Sequence, residues 1–260
     1  MDKLEKALAK ARQQRSEAQQ TAAPMIATPK EPSQPAATSF TVAGFRPLQE
    51  ATLEANRIVA HRTRSAEADI FRLLRTQVLQ VMNKHNYRTL AITSPNYGDG
   101  KTTIAINLAL SIALDLKQTV LLADLDLRKP NVHSYLGIES QPGLTEHLKD
   151  GISLADCLQR LPFERLSILP AGKHVEHSSE TLGSPQMAAL AEEMRTRYAD
   201  RFILYDMPPV LAQDDPLAFL PHADAVLLVV LDDATRTDEI KRCLDILAPA
   251  NVIGTVLNAP

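Results

Sequence analysis

Cysteine is scarce in this 260-residue chain: there are two, Cys157 and Cys243, in unlike contexts and without metal-site spacing. Each falls in an apolar-periodic stretch, which predicts buried thiols and fits a reducing compartment. An excess of charge of one sign is lacking too. The formal net charge is −3, so no global basic field argues for nucleic acid as a partner. Long apolar runs are missing as well. The longest, near Ala225–Leu231, has strand length, and no signal peptide opens the chain. These absences predict a cytoplasmic chain without a transmembrane segment, one that would reach the inner membrane only through a partner or an amphipathic surface. No internal repeat is visible. Seven histidines are scattered without ligand geometry, and His133 and His147 read as surface residues.

Hydrophobic residues make up 45% of the chain, enough for a substantial α/β domain. Residues 1–45 form a separate arm. Its first twenty residues are rich in helix formers, with Leu4, Ala7, Leu8 and Ala11 on one face, and a proline-rich linker follows. From residue 46 to 260 the pattern is that of one domain. A helix is expected over Ser65–Met82, with Ile70, Leu73, Leu74, Val78 and Val81 as its apolar stripe. "RTLAITS", "QTVLLADLD", "LSILPAG", "RFILYDMPP", "DAVLLVVL" and "NVIGTVL" read as strands, and "KTTIAINLALSIALDL" as a long apolar helix. Ser184-Pro185, Asp215-Pro216 and Thr235…Asp238 supply helix starts. Continuous apolar strands separated by helices predict a mainly parallel sheet covered on both faces.

The stretch "SPNYGDGKTT" lies between a strand and a helix, where a phosphate loop belongs. Pro95 replaces the first glycine of the common G-x-x-x-x-G-K-[ST] pattern. Gly98 and Gly100 let successive N–H groups around Asp99 point inward, and the helix start adds its positive dipole end. Lys101 would reach the β- and γ-phosphates, the Thr102 hydroxyl would ligate Mg²⁺, and Thr103 completes the loop. Alone, the stretch also fits a plain turn. Asp124 and Asp126 close the next strand, where ligands of open parallel sheets gather. Two carboxylates there call for a cation, which Mg²⁺-ATP brings, although a solvated acidic turn is the alternative. Arg128 is close enough to contact phosphate. Asp206 ends the "FILYDMPP" run and reads as a carboxylate holding Mg²⁺ through water. Three such motifs, in order and each at a strand's carboxyl end, point to a P-loop nucleotide site.

Together "TSPNYGDGKTT", "LLADLDLRKP" and "YDMPP" resemble the kinase domain of bacterial tyrosine kinases, relatives of partition-type P-loop ATPases with a deviant phosphate loop. The resemblance covers roughly 55–258. Its Asp-x-Asp-x-Arg motif is matched by Asp124, Asp126 and Arg128. The partition ATPases' signature lysine position holds Asn96, which favours the kinase side. The resemblance further implies that Asp69, Arg72 and Arg75 match an E-x-x-R-x-x-R helix that packs against the next subunit, their side chains opposite the apolar stripe and exposed. It also implies that Asn258 pairs with adenine. Asp126 is the expected base, with Lys101 stabilising the transferring phosphoryl. The implied setting is regulation of exopolysaccharide or capsule synthesis and export. The implied partners are a membrane chain-length-determining protein (a polysaccharide co-polymerase) and further copies of the chain. Two departures stand out. Asp232-Asp233 is acidic where relatives are often basic, and none of the five tyrosines (Tyr87, Tyr97, Tyr135, Tyr198, Tyr205) forms a C-terminal acceptor cluster. A non-kinase ATPase switch controlling assembly is the competing function.

Overall fold

The computed structural model describes residues 48–115, 117–197 and 201–259. The amphipathic segment around Leu4, Ala7, Leu8 and Ala11, the proline-rich linker and Tyr198 lie outside the described residues.

Seven strands form one sheet: β1 (Thr89–Thr93), β2 (Thr119–Asp124), β3 (Gln159–Arg160), β4 (Leu166–Leu169), β5 (Arg201–Asp206), β6 (Ala225–Leu231) and β7 (Val252–Asn258). Their order is β3-β4-β2-β5-β1-β6-β7. All neighbours are parallel except the short β3, which pairs antiparallel with β4. Because successive strand residues point to opposite faces, Leu90, Ile92, Leu122 and Leu204 enter one core cluster while Ala91, Leu121, Ile203 and Tyr205 enter the other. Both faces are buried, so the central strands read as unbroken apolar runs. Helices α1 (Glu50–Ala55), α2 (Ala66–His85), α3 (Lys101–Ala113) and α4 (Val132–Leu136) cover the first face. Helices α5 (Leu144–Asp150), α6 (Leu154–Cys157), α7 (Ser178–Leu182), α8 (Pro185–Arg197), α9 (Asp215–Phe219) and α10 (Thr237–Ile246) cover the second. Cys157 and Cys243 are free and buried, as expected. Among the described residues no helix is long and apolar enough to cross a membrane.

Local chemistry sets several helix starts. Ser65 Oγ accepts from Ala68 N at the start of α2 (3.3 Å), and Ser184 Oγ accepts from Met187 N before Pro185 opens α8 (3.1 Å). The start of α10 falls two residues beyond Thr235. That hydroxyl accepts from Leu231 N instead, and the Glu239 carboxylate caps the helix by accepting from Arg236 N (2.8 Å). β7 also departs from expectation. It is an edge strand with alternating half-exposure, and Leu257 faces outward.

The face assigned to α2 holds for Leu74 and Val78, which pack inward with Ala68, Phe71, Leu79 and Met82, and needs correcting for Ile70 and Leu73, which are 65% and 61% exposed. The helix carries two apolar stripes, and the one that meets α3 wins. This rotation brings Arg72 and Arg75 half under cover. Arg75 Nη1 donates to Ser111 O (2.9 Å), a carbonyl in the last turn of α3 that lacks a helical partner. Arg72 Nη2 donates to Arg62 O and Thr63 O (2.8 and 3.1 Å), and its Nη1 contacts the Asp69 carboxylate. Of the three residues expected to face outward, only Asp69 is fully exposed.

Candidate nucleotide-binding site

β1 ends at Thr93, and residues 94–100 cross the strand ends before α3 begins at Lys101. Gly98 and Gly100 have φ of 87° and 90°, conformations that L side chains resist. A Cβ on Gly100 would also collide with the Asn258 side-chain amide. The rest of the loop is tied down by side chains. Asn96 N donates to Asp99 Oδ2 (2.8 Å), and Asn96 Nδ2 donates to Glu239 Oε1 on α10 (3.1 Å). Thus the residue at the signature-lysine position bridges loop and helix. The Tyr97 hydroxyl contacts the Gln213 amide, and Lys129 Nζ stands 4.2 Å over its ring.

Strand order explains the carboxylates. β2 and β5 are neighbours with Asp124 opposite Asp206, and β5 in turn adjoins β1, which carries the loop. All three elements therefore deliver to one spot at the carboxyl edge. Lys101 Nζ lies 3.0 Å from Asp126 Oδ2 and 3.7 Å from Asp206 Oδ1. Thr102 Oγ1 donates to Asp206 Oδ2 (2.7 Å). Asp124 accepts from the backbone N–H groups of Asp126, Asn131 and Val132, each at 3.1 Å. Burial pulls the Lys101 ammonium down, but the charges of Asp206, Asp126 and Asp124 outweigh it and hold the group above its ordinary value. Burial first, and the charge of Asp206 second, push Asp124 up to about 8. Burial likewise raises Asp206, against the pull of Lys101.

These residues fit a magnesium nucleotide. Asp206 Oδ1 is buried without a hydrogen bond, facing a region that otherwise holds one ammonium among three carboxylates. Among the described residues no cluster of three or more His, Cys, Asp or Glu could hold a metal unaided. Mg²⁺ takes one or two carboxylates and completes its shell with phosphate and water. Thr102, Asp124 and Asp206 are its candidate ligands. A cleft of about 350 Å³ opens beside the loop from Gly98 to Thr103, with Asn131, Tyr135 and Asn258 on its other walls.

Two expected contacts are placed differently. Arg128 turns toward α7 and α9. Its Nε donates to the buried Ser178 Oγ (2.7 Å), and Nη2 stands 3.8 Å from both Asp214 and Asp215. Asn258 Nδ2 donates to Asp99 O (3.0 Å), so its amide braces the loop. Neither the Asn96–Glu239 bridge nor the hydrogen bond that Ser178 Oγ donates to Asp215 Oδ1 (2.8 Å) is readable from local sequence. Asn107 carries a local signal: it is an amide set between Ile106 and Leu108 in a mainly apolar helix.

The buried acid carries a pH consequence. An aspartate in an unfolded chain titrates near ~3.9, whereas Asp124 in the fold titrates at about 8. The folded state holds that proton more tightly, so this contribution to stability is full at acid pH and is lost as pH rises through about 8. The melting temperature of the ligand-free protein should therefore fall between pH ~6 and ~8.5. Asp124→Asn should flatten the fall, and Mg²⁺-ADP should offset it. A level profile for the ligand-free protein would contradict this account of Asp124.

The comparisons with known proteins agree with this geometry. Residues 87–246 match the AAA domain family. Tyrosine-protein kinase YwqD of Bacillus subtilis is 30% identical over 208 residues, covering 79% of this chain and 86% of that protein. Succinoglycan biosynthesis transport protein ExoP of Rhizobium meliloti is 33% identical over 208 residues, covering 78% of this chain and 26% of ExoP. The chain thus spans about a quarter of the longer relatives it matches. The kinase domain of Escherichia coli tyrosine kinase ETK superposes with a TM-score of 0.72 at 26% identity, covering 78% of this chain and 79% of that one. With a phosphate loop, two facing strand-end aspartates and these relatives, the chain belongs to the bacterial tyrosine kinase family, built on a P-loop AAA domain.

Proposed function

We propose that this chain binds Mg²⁺-ATP and transfers its γ-phosphoryl group to a tyrosine hydroxyl, in the regulation of exopolysaccharide or capsule synthesis. The observation that carries the reading is the convergence of Lys101, Thr102, Asp126 and Asp206 within hydrogen-bond or ion-pair distance beside the loop. Bound magnesium would neutralise charge developing on the phosphates. The chain's own residues do the rest. Loop N–H groups and Lys101 hold the phosphates, and Thr102 and Asp206 orient the metal side. Asp126, once Lys101 turns to phosphate, is released to accept the proton of an incoming hydroxyl. The names of YwqD and ExoP support the kinase activity and the polysaccharide setting. A membrane chain-length-determining partner and cytoplasmic placement follow from the same reading. Nucleic acid is not among the proposed partners.

A second reading, an ATPase switch controlling assembly, is favoured by the tyrosines themselves. Tyr205 is fully buried, and the Tyr97 hydroxyl is engaged by Gln213. Incubation with Mg²⁺, γ-labelled ATP and a tyrosine-containing acceptor peptide separates the two. Label on peptide tyrosine, dependent on Asp126, supports the kinase. Released phosphate with no phosphotyrosine on peptide or chain supports the switch.

Self-association through α2 belongs to the same proposal. Arg72 and Arg75 are held by backbone carbonyls, so they act by setting the pose of the helix that presents Asp69, Ile70 and Leu73. Arg72→Ala with Arg75→Ala should reduce nucleotide-dependent oligomers seen by light scattering. An unchanged size distribution would remove α2 from the interface.

A further inference from the structure

Arg57 follows α1 and is the only cation besides Lys101 among the described residues lining the cleft. It is not a glycine, yet its φ is 57°, in the left-handed region. For a residue with a long side chain this costs about 1 kcal/mol or more and persists only where surroundings enforce it. Two things enforce it. The chain closes α1 at this residue, with Arg57 N donating to Glu54 O (3.0 Å) and Ile58 N to Leu53 O (2.8 Å), and a side chain of α3 holds the segment from the other side. Asn107 is fully buried on α3, and all four of its hydrogen-bonding positions are used. Its Nδ2 donates to Arg57 O and to Thr103 O (both 2.9 Å), and its Oδ1 accepts from Val59 N and Ala60 N (2.8 and 2.9 Å). The backbone of Arg57 is thereby fastened to the first turn of the phosphate-loop helix.

The charges say what this fastening is for. Lys101 is matched against Asp126 and Asp206, and Arg128 is committed to Ser178 and Asp215. The guanidinium of Arg57 has no hydrogen bond or ion pair among the described residues, and the residue is exposed on the wall that includes Thr103. An incoming nucleoside triphosphate brings several negative charges to a pocket whose buried carboxylates already outnumber its ammonium. Resting on the nucleotide-site reading above, we infer that Arg57 is a phosphate-binding residue, clamped by Asn107 so that its guanidinium meets the nucleotide's phosphates from the Thr103 side. A planar guanidinium is suited to phosphate oxygens.

Arg57→Gly tests this, because glycine accepts φ of 57° without strain and removes only the side chain. Binding of ATP and of inorganic triphosphate, each with Mg²⁺, should weaken about tenfold or more, the loss of a charge-assisted hydrogen bond. The melting temperature of the ligand-free variant should stay level or rise. Arg57→Lys should recover part of the binding. If Arg57→Gly binds both ligands like the wild type, the inference is overturned, and a loss confined to ATP would overturn the phosphate assignment. Failure of the wild type itself to bind ATP would overturn the nucleotide-site reading and this one with it. Normal wild-type binding beside an unaffected variant sinks only the role of Arg57.

Discussion

Lys101→Met should abolish phosphoryl transfer, lowering the turnover number by at least about a hundredfold, the usual cost of removing one preorganised donor from developing charge. Its side chain sits among Asp124, Asp126 and Asp206 with little contact with water. Methionine fills the space and supplies no charge. A second effect follows from that environment. With the ammonium gone, the buried carboxylates face one another unopposed, so their ionisation becomes harder still. The variant should lose more melting temperature than the wild type as pH rises from ~6 to ~8.5, and the two should converge at acid pH, where the carboxylates are protonated. Measured turnover within threefold of wild type, in a variant shown to be folded, would remove Lys101 from the chemistry. Parallel pH profiles would remove the charge cluster from the account of stability.

The second large effect is on the fold. Asn107→Leu keeps the approximate volume and deletes all four hydrogen bonds of a fully buried amide. Orphaned backbone groups of this kind cost about 1–3 kcal/mol each, and burial of Val59 is partial. A total loss of about 3 kcal/mol or more is expected, which for a domain of this size is a fall of roughly 6–12 °C in melting temperature. Nucleotide affinity should fall as well, since the segment carrying Arg57 is no longer fastened to α3. Asn107→Asp serves as the comparison. It retains an acceptor for Val59 N and Ala60 N, loses both donors, and places a buried charge against Arg57 O and Thr103 O, so it should be no more stable than Asn107→Leu. A melting temperature unchanged in Asn107→Leu would show that the segment 57–60 is held without Asn107, by packing and by the backbone bonds that close α1.

Much of the site was legible in sequence because it is made of strand-end residues. A strand that ends in Asp206, another that ends in Asp124 and a glycine loop after a third must deliver to the same sheet edge, whatever the strand order. The order itself, and the short antiparallel β3, were not readable. They depend on crossovers that local pattern does not encode. The face of α2 is read rightly at Leu74 and Val78 and wrongly at Ile70 and Leu73, because Phe71, Leu79 and Met82 make a competing apolar stripe beside the expected one. Which one is buried is decided by α3, not by the helix. Arg75 is expected to be exposed for a neighbouring subunit, whereas Ser111 O, far along the chain, captures it. Arg128 was expected at phosphate for a similar reason. Ser178 and Asp215 are distant in sequence, and nothing near Arg128 announces them. Asn258 lines the cleft beside the loop because β7 ends there, and the partner it selects, Asp99 O, is a backbone atom invisible to any motif.

The most direct test of the central claim is to crystallise the protein with ATP or a non-hydrolysable analogue and Mn²⁺ in place of Mg²⁺, and to locate the metal by its anomalous signal. The phosphates should be cradled by residues Gly98 to Thr103, with a metal peak bound by Thr102 Oγ1 and facing Asp206, and Lys101 Nζ should have moved from Asp126 to phosphate. A nucleotide bound away from the loop, or a metal with no contact to Thr102, Asp124 or Asp206 directly or through water, would contradict it.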